Sequence, residues 1–436
     1  MWQTLKIDFV APPFGGHLYP LLELASALQR QGMTNIRILS TAEAQPAISL
    51  MGLIGVSLLS GQDVAISAIA NPPYQVKSNP WRLLQQFSAN LALMQSLKAQ
   101  LRSIWQTSQP DLVIADFTLP IVGILAQEMD ICWWTSTPTI CAIETKTGTP
   151  TYLGGLTPGR GLLLQLRDFM GRQLIRGFKL GIGYWFRQEL RSLNFPSVYL
   201  ENGYERIYSP DKILGFGMRE FEFDRDWPAA LEFIGPLTTS PPFSHHAPVF
   251  QADIRHILVS LGTHIPWSKQ QAAQVVQQIA AQMSDVHFHF SYGKLGEHTQ
   301  QTLENTHFYD YLPYDLYIHH FDAAIIHGGT GVLYSCIKAG VPMLVWPHDY
   351  DQFDHAARII QRGIGLPFKA DLKKTIHSLY QLLSDEQISR QAMHFQHLAN
   401  QYDPTTTLLN LVKQLAEIRS HDDGFHGSTD PQKSMY

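Results

Sequence analysis

A histidine at a glycine turn and a carboxylate at the end of another strand form the first candidate for chemistry in this chain. We predict a strand end, a turn and a helix start in "APPFGGHLYPLLELASAL" (11–28), with His17 at the turn. Histidine suits general-base work because its ordinary pKa lies near neutrality. Asp116 ends the strand-like run "DLVIADF" (111–117), where a carboxylate could orient the imidazole. The structural alternatives are a histidine that only caps its turn and an aspartate that caps the following helix.

A second glycine turn lies far along the chain, in "DAAIIHGGTG" (322–331). An apolar strand candidate runs into His327, and we expect a helix to begin near Thr330 or Gly331. Such a junction presents backbone N–H groups and the positive end of a helix dipole, which suit a diphosphate. It is neither a Walker loop nor a Gly-x-Gly-x-x-Gly motif. The alternative is a tight turn beneath a structural histidine.

Asp351 and Gln352 follow a further strand candidate, "VPMLVWP" (341–347). Adjacent acid and amide side chains combine acceptors with donors, which suits neighbouring sugar hydroxyls. A solvated loop pair that leads into the helix "FDHAARIIQRG" (353–363) is the alternative.

The elements that must position these residues alternate between short apolar runs and helix-like runs. One series begins at "LKIDFVAP" (5–12), and a second begins at "RHILVSLGT" (255–263). Strand–helix–strand alternation predicts parallel sheets covered by helices on both faces. We therefore predict an α/β fold class with two doubly wound, Rossmann-like domains facing a cleft, the usual ligand site of such folds.

A stretch rich in proline, serine and glycine separates the two series and predicts a linker. A chain of 436 residues is long enough for two α/β domains. We predict an N-terminal domain at 1–235, a linker at 236–254, a C-terminal domain at 255–404, a helix at 405–420 and a disordered tail at 421–436.

Composition argues against several classes of protein. A net charge of −5 provides no basic field for nucleic acid. No segment resembles a membrane span or a secretory leader with its cleavage site. Three widely spaced cysteines, Cys132, Cys141 and Cys336, argue against a disulfide framework. We expect a cytoplasmic protein.

Together these segments resemble the nucleotide-sugar-dependent glycosyltransferases with two Rossmann-like domains, the GT-B type. The resemblance is strongest to the UDP-glucuronosyl/UDP-glucosyltransferase superfamily, and it covers most of the chain. It is carried by "PFGGHLYPLLELASAL", "EFEFDRDWPAALEFIGPL", "VSLGT", "HGGTG" and "VPMLVWPHDYDQFDHAARI". The family's base-orienting aspartate falls at Asp116, with His17 as the catalytic base.

The resemblance also implies which residues bind the donor. His327 and the glycine turn after it would contact the diphosphate, and Asp351 with Gln352 would hold the sugar. Tyr311 of "YLP" stands where many members have tryptophan and would stack on the base. The implied donor-binding set is Gly262, Thr263, Tyr311, His327, Gly329, Thr330, Gly331, Asp351 and Gln352.

Three positions depart from the family pattern. Ser335 stands where an acidic residue usually binds ribose, so dTDP is an alternative to the expected UDP. Val332 replaces a frequent phosphate-binding hydroxyl residue, and His355 replaces a usual asparagine. The Asp-x-Asp triplets at 224–226 and 349–351 resemble the metal signature of single-domain glycosyltransferases, and we interpret both as coincidence.

The acceptor is expected to bind in the N-terminal domain, between about residues 60 and 200. That region is rich in aromatic residues, including "CWWTSTPT" (132–139) and "FKLGIGYWF" (178–186), which favours a lipophilic acceptor. Residues 160–191 form a basic amphipathic stretch that could contact an anionic membrane surface or an acidic acceptor. A solvated helix face is the alternative.

These features predict an inverting, metal-independent glycosyltransferase that moves a hexose, with glucose expected, from a UDP-sugar. The acceptor would be a hydroxyl of a small lipophilic or aromatic molecule, and the UDP-sugar would be a co-substrate with no further cofactor. Two other classes fit the same architecture. One is a nucleotide-sugar 2-epimerase, and the other is a non-catalytic nucleotide-sugar-binding partner protein.

Overall fold

Two seven-stranded sheets organise the chain, one in each half of the sequence. The computed structural model describes residues 2–76, 79–296 and 300–426. Helices are interleaved with the strands throughout both halves. The predicted fold class, two doubly wound α/β domains, is confirmed.

The N-terminal sheet is entirely parallel. Its strands are β1 (Ile7–Val10), β2 (Ile36–Ser40), β3 (Gly55–Ser57), β4 (Leu112–Asp116), β5 (Cys132–Thr137), β6 (Ile213–Gly215) and β7 (Leu231–Phe233), in the order β3-β2-β1-β4-β5-β6-β7. Its helices are α1 (Gly15–Arg30), α2 (Gln45–Leu50), α3 (Asp63–Ala70), α4 (Pro80–Thr107), α5 (Pro120–Glu128), α6 (Leu162–Trp185) and α7 (Arg187–Ser192). Every residue of β1 and β4 is buried, as expected for central strands covered on both faces.

The C-terminal sheet repeats this plan. Its strands are β8 (Arg255–Ser260), β9 (Val286–Ser291), β10 (Gln301–Leu303), β11 (Thr306–Tyr309), β12 (Ala323–Ile326), β13 (Met343–Val345) and β14 (Gly365–Pro367), in the order β10-β11-β9-β8-β12-β13-β14. Its helices are α8 (Pro266–Ala280), α9 (Tyr314–Tyr317), α10 (Thr330–Ala339), α11 (Gln352–Gln361), α12 (Leu372–Ser384), α13 (Glu386–Ala399) and α14 (Pro404–His426). The edge strand β10 is antiparallel to β11, and the other pairings are parallel.

Packing crosses the predicted domain boundaries in both directions. Met218 and Phe221, from the loop between β6 and β7, belong to the apolar core of the C-terminal domain. Leu408 and Val412 of α14 are fully buried in the core of the N-terminal domain. Each half of the chain therefore contributes a segment to the apolar core of the other half. The predicted domain boundaries do not include this exchange.

Helix α14 is also longer than predicted. The sequence pattern predicts a helix end at 420 and a disordered tail at 421–436, whereas the helix continues to His426. Helical hydrogen bonding can continue through polar residues that carry no apolar pattern, so the pattern alone misplaced this end. The rest of the predicted tail lies outside the described residues.

The structure of helix α6 argues against a solvated basic face in the stretch at 160–191. Several of its basic side chains turn toward the protein, whereas many of its large apolar side chains face solvent. The stretch is amphipathic, but the face that it exposes to solvent is apolar rather than basic. Within the described residues, no helix is both long and apolar enough to cross a membrane.

Candidate functional site

Four of the predicted residues stand at the carboxyl ends of the two central strand pairs. His17 lies in the first turn of α1, after β1, and Asp116 is the last residue of the neighbouring strand β4. In the other domain, Thr263 follows β8 and His327 follows the neighbouring strand β12. The strand order reverses at both pairs, and such switch points leave an open crevice.

A cavity of about 500 Å³ joins the two crevices. Its lining includes ten of the predicted site residues, namely His17, Gly262, Thr263, Tyr311, His327, Gly329, Thr330, Gly331, Asp351 and Gln352. The remaining residue, Asp116, is buried beneath the cavity wall and forms a hydrogen bond with His17. The structure therefore brings all of the predicted residues together around one cavity.

The imidazole of His17 is fixed by the carboxylate of Asp116. His17 Nδ1 lies 2.9 Å from Asp116 Oδ2, so the other ring nitrogen, Nε2, is left for the cavity. The ring also stacks against Phe117, with the centroids 5.9 Å apart. A carboxylate on one nitrogen selects the tautomer whose other nitrogen can accept a proton.

The electrostatic environment makes His17 a stronger base. Burial by itself lowers the pKa of His17, but the charge of Asp116 and its hydrogen bond outweigh burial, with a smaller contribution from Asp351. The net result is a pKa raised above the ordinary value of histidine. A base that binds its proton more tightly has a greater driving force for accepting it from a bound hydroxyl.

Thr118 holds the second oxygen of the Asp116 carboxylate. Its backbone N–H and its hydroxyl both donate to Asp116 Oδ1, at 3.0 and 2.5 Å. The carboxylate is therefore held on both sides, by His17 and by Thr118. Asp116 does not cap helix α5, whose N-cap is Leu119, so the structural alternative considered for Asp116 is wrong.

On the opposite side of the cavity, His327 is held as a neutral imidazole. Burial, with the nearby His348, lowers the pKa of His327 to about 3. The ring lines the cavity, so a neutral imidazole is the group that His327 presents there.

The glycines around His327 make room mainly for its ring. A Cβ atom on Gly329 would lie 2.2 Å from His327 Nε2, and one on Gly262 would lie 2.7 Å from its Cε1. Gly331 differs, because a Cβ there would meet no atom within 4 Å. Helix α10 begins at Thr330 with no side-chain cap, so its first backbone N–H groups remain available at the cavity.

Asp351 and Gln352 lie at the start of α11, at the same cavity. Asp351 Oδ2 accepts a hydrogen bond from Thr139 Oγ1 of the N-terminal domain, at 2.8 Å. Gln352 Oε1 accepts from the backbone N–H groups of His348 and Asp349, at 2.8 and 3.0 Å. Those bonds fix the amide, which leaves its NH₂ group as the available donor.

Tyr311 packs in an aromatic group to which the linker contributes. Phe243 meets Tyr311 edge-on, with ring centroids 5.9 Å apart, and also contacts Tyr19 of α1. Thr238, Thr239 and Ser240 line the cavity beside Tyr311, so the predicted linker is part of the cavity wall.

Two of the three residues that depart from the family pattern, Ser335 and His355, form hydrogen bonds. Ser335 Oγ donates to the Gly331 carbonyl, at 2.9 Å. His355 Nδ1 lies 2.8 Å from the Gly328 carbonyl and so supports the glycine turn. In the two Asp-x-Asp triplets, Asp226 accepts from Thr147, and Asp349 Oδ2 accepts from the Val76 N–H at 2.6 Å.

Sequence reasoning missed His264, which lines the cavity directly after Thr263. Its Nδ1 lies 2.7 Å from Asn71 Oδ1, and its ring meets Phe14 edge-on. Burial, with the nearby charges of His17 and Lys269, lowers the pKa of His264 to about 4. The position of His264, just after a central strand, could have indicated a site residue. Its partner Asn71, however, lies 193 residues away in the sequence. Thr118 and Thr139 were also missed, because their hydrogen bonds to Asp116 and Asp351 are evident only in the folded chain.

Charge is scarce in the cavity wall. Among the described lining residues, Asp351 carries the only carboxylate, and there is neither lysine nor arginine. The end formed by the N-terminal domain is apolar, with Leu58, Leu59, Ile66, Ile69, Leu93, Met94, Leu97, Phe117 and Leu119 in its wall. The predicted segment 178–186 does not line the cavity.

One family model matches the C-terminal part of the chain, at residues 273–417. It describes the C-terminal domain of proteins like erythromycin biosynthesis protein CIII. The NDP-glycosyltransferase YjiC of Bacillus subtilis is 22% identical over 392 residues, which cover 88% of this chain and 90% of that protein. The sterol 3-beta-glucosyltransferase of Vanderwaltozyma polyspora is 31% identical over 104 residues, 24% of this chain but only 8% of that protein's length.

Solved structures share the whole architecture. The glycotransferase of kitacinnamycin superposes with a TM-score of 0.75 at 18% identity, covering 94% of this chain and 99% of that one. The spinosyn rhamnosyltransferase SpnG, complexed with thymidine diphosphate, superposes with a TM-score of 0.64 at 16% identity, covering 93% and 100%. At these identities the likeness concerns the fold.

Proposed function

Because the chain belongs to the GT-B glycosyltransferases of the UDP-glycosyltransferase superfamily, we propose that it transfers a hexose, glucose foremost, from a UDP-sugar to a lipophilic acceptor hydroxyl. The observation that carries the proposal is the His17–Asp116 pair, which faces the His327 turn across one cavity. A base and a diphosphate-binding turn on opposite walls are what direct transfer between two bound substrates requires.

In the proposed reaction, His17 Nε2 takes the proton of the acceptor hydroxyl. The acceptor oxygen forms a bond to C1 of the sugar as the bond from C1 to the diphosphate oxygen breaks. The electron pair of that bond leaves with the diphosphate, and attack from the opposite side inverts the configuration at C1. The carboxylate of Asp116 stabilises the imidazolium of His17.

The departing diphosphate would be stabilised without a lysine or arginine in the described wall. The first N–H groups of α10 and the positive end of its dipole point to the carboxyl edge of the sheet. His327 lines the same cavity and would add a hydrogen bond from its imidazole. We propose that these fixed groups replace a metal ion in this role.

Asp351 and Gln352 are proposed to hold the sugar hydroxyls. The carboxylate of Asp351 is an acceptor whose position Thr139 secures, and the Gln352 amide has its NH₂ available as a donor. Tyr311 would stack on the base beside the linker. UDP is the proposed nucleotide, with dTDP as the alternative because Ser335 uses its hydroxyl within α10.

Two features favour transfer over the alternatives. An epimerase of this architecture would need acidic residues around the sugar in both domains, whereas the described cavity wall offers Asp351 alone. A non-catalytic binding protein would have no use for a histidine whose pKa is raised by a dedicated carboxylate. The apolar end of the cavity supports a lipophilic acceptor.

The variant His17→Ala tests the proposal. We expect donor binding, measured by calorimetry with UDP-glucose, to remain within a few-fold of wild type. Transfer, measured by mass spectrometry against a panel of phenolic and sterol acceptors, should fall by about 10²–10⁴-fold, the usual contribution of a positioned base. Unchanged turnover would exclude His17 as the base, and turnover with dTDP-glucose alone would overturn the UDP assignment.

A further inference from the structure

Helix α6 presents a broad and mainly apolar face to solvent. Its exposed large side chains are Leu162, Leu163, Leu166, Phe169, Met170, Leu174, Phe178, Leu180, Tyr184 and Trp185. At about 100° per residue, these positions fall on one half of the helix circumference. Leu163 is 84% exposed and Trp185 is 70% exposed, so this side is not covered by the rest of the described chain. Contiguous exposed apolar surface of this kind marks an interaction site.

The polar face of α6 is turned inward and is occupied. Lys179 Nζ lies 2.5 Å from Glu205 and 3.2 Å from Glu144. Arg176 stacks on Tyr199, with its guanidinium carbon 3.9 Å from the ring centroid. An ordinary surface helix buries its apolar stripe and exposes its polar face, so α6 has the reverse arrangement.

Both ends of the apolar face carry exposed arginines. Arg160 precedes the helix, and Arg187 and Arg191 follow it. Arg187 lies over the ring of Tyr184, next to the exposed Trp185. Positive charges and interfacial aromatic residues beside an apolar helix face are typical of helices that lie in the surface of an anionic bilayer.

We propose that α6 docks the protein on the surface of an anionic phospholipid membrane, with the apolar face in the acyl boundary and the terminal arginines on headgroup phosphates. Charge complementarity favours this occupant over a second copy of the chain. Two copies packed through α6 would bring positive ends together in either helix orientation, because Arg160 lies at one end, whereas Arg187 and Arg191, with only Glu189 between them, lie at the other.

The C-terminal end of the docked helix would lie beside α4, the helix that lines the apolar end of the cavity. Phe186, directly after α6, packs on Phe87 of α4, with ring centroids 5.2 Å apart. The same helix α4 supplies Leu93 and Met94 to the cavity wall. This step rests on the proposed function: a lipophilic acceptor dissolved in the bilayer would reach the enzyme at the membrane rather than from water.

The test is flotation of the full chain with phosphatidylcholine vesicles, prepared with and without phosphatidylglycerol. Leu163→Gln, Met170→Gln and Leu174→Gln are combined to remove the apolar face. The matched control combines Ile54→Gln, Val249→Gln and Ile418→Gln, which are 59%, 69% and 60% exposed elsewhere on the surface. A third variant combines Arg160→Gln, Arg187→Gln and Arg191→Gln.

We expect wild type and control to float with the phosphatidylglycerol vesicles, the α6 apolar variant to bind more than tenfold less, and the arginine variant to lose its preference for anionic lipid. Transfer to a water-soluble acceptor should be the same in all four proteins, so failure of docking is distinguished from failure of the proposed function. Flotation that the apolar variant retains, or none by wild type, would overturn the proposal. So would a dimer in sedimentation that the apolar variant dissociates.

Discussion

At His17 the two ring nitrogens have separate tasks. Nδ1 is committed to Asp116, and Asp116 in turn is held by Thr118 on its other oxygen. The ring therefore cannot rotate without breaking a chain of buried hydrogen bonds. In the proposed mechanism the neutral imidazole is the active form, so the protonation of His17 should control the rate.

The pH dependence of the reaction tests this control. Activity should be lost as the pH falls through the raised pKa of His17, because protonation removes the base. In Asp116→Asn the carboxylate that raises this pKa is absent, so the acid limb of kcat/KM should move to lower pH while kcat falls by about 10²-fold or more. Thr118→Val keeps the carboxylate and serves as the control, with a smaller displacement of the limb. An acid limb that Asp116→Asn leaves in place would assign it to another group.

At the scale of an element, the turn between β12 and α10 is built around a histidine ring. Gly329 and Gly262 leave the space that His327 fills, and Gly262 adopts a φ of +70° that also favours glycine. Gly331 makes no such contact. The glycines that looked alike in the sequence therefore differ in what they do.

Two alanine substitutions in this turn should have different consequences. In Gly329→Ala the new methyl group would overlap His327, so we expect the free energy of unfolding to fall by about 1–3 kcal/mol and affinity for UDP to drop. Gly331→Ala lies in the first turn of α10 with open space around it and should leave stability unchanged or raise it slightly. Urea denaturation measures both. Equal losses of stability would show that packing against His327 is not what requires Gly329.

At the scale of the whole molecule, hydrogen bonds across the cleft hold the two domains together. Asn71 pairs with His264, Thr139 with Asp351, and the Tyr152 N–H donates to Asp354 at 2.8 Å. Each places a residue near the candidate acceptor end against one near the candidate donor end. Relative movement of the domains would therefore change both ends of the cavity at once.

A buried ion pair adds to this interdomain contact. Glu222, in the loop between β6 and β7, lies 2.8 Å from Arg358 of α11, and both side chains are 1% exposed. Glu222→Gln would leave the guanidinium buried without its counter-charge, so we expect a loss of about 3–5 kcal/mol in the free energy of unfolding. Arg390→Gln, in a pair that is 69% and 85% exposed, is the control and should cost less than about 1 kcal/mol. Similar losses in urea denaturation would contradict the role of Glu222.

Much of the site could be predicted because its residues stand at positions that local patterns reveal. His17, Asp116 and His327 each lie where a buried run ends, and parallel strands bring such ends to one edge. His264 escaped notice although it follows a strand, because its partner Asn71 belongs to the other domain. The sequence also did not predict that the linker lines the cavity, because its composition does not show that Phe243 packs on Tyr311.

Local sequence patterns predict the fold class, the two sheets and the strand ends that bear the candidate residues, because periodicity and turn chemistry act over a few neighbouring residues. Tertiary structure decided which of those ends meet, which glycines serve His327, and which face of α6 is exposed. A helical pattern reveals that two faces differ, but burial of either face depends on partners such as Glu205 and Tyr199, and only the folded chain supplies those contacts.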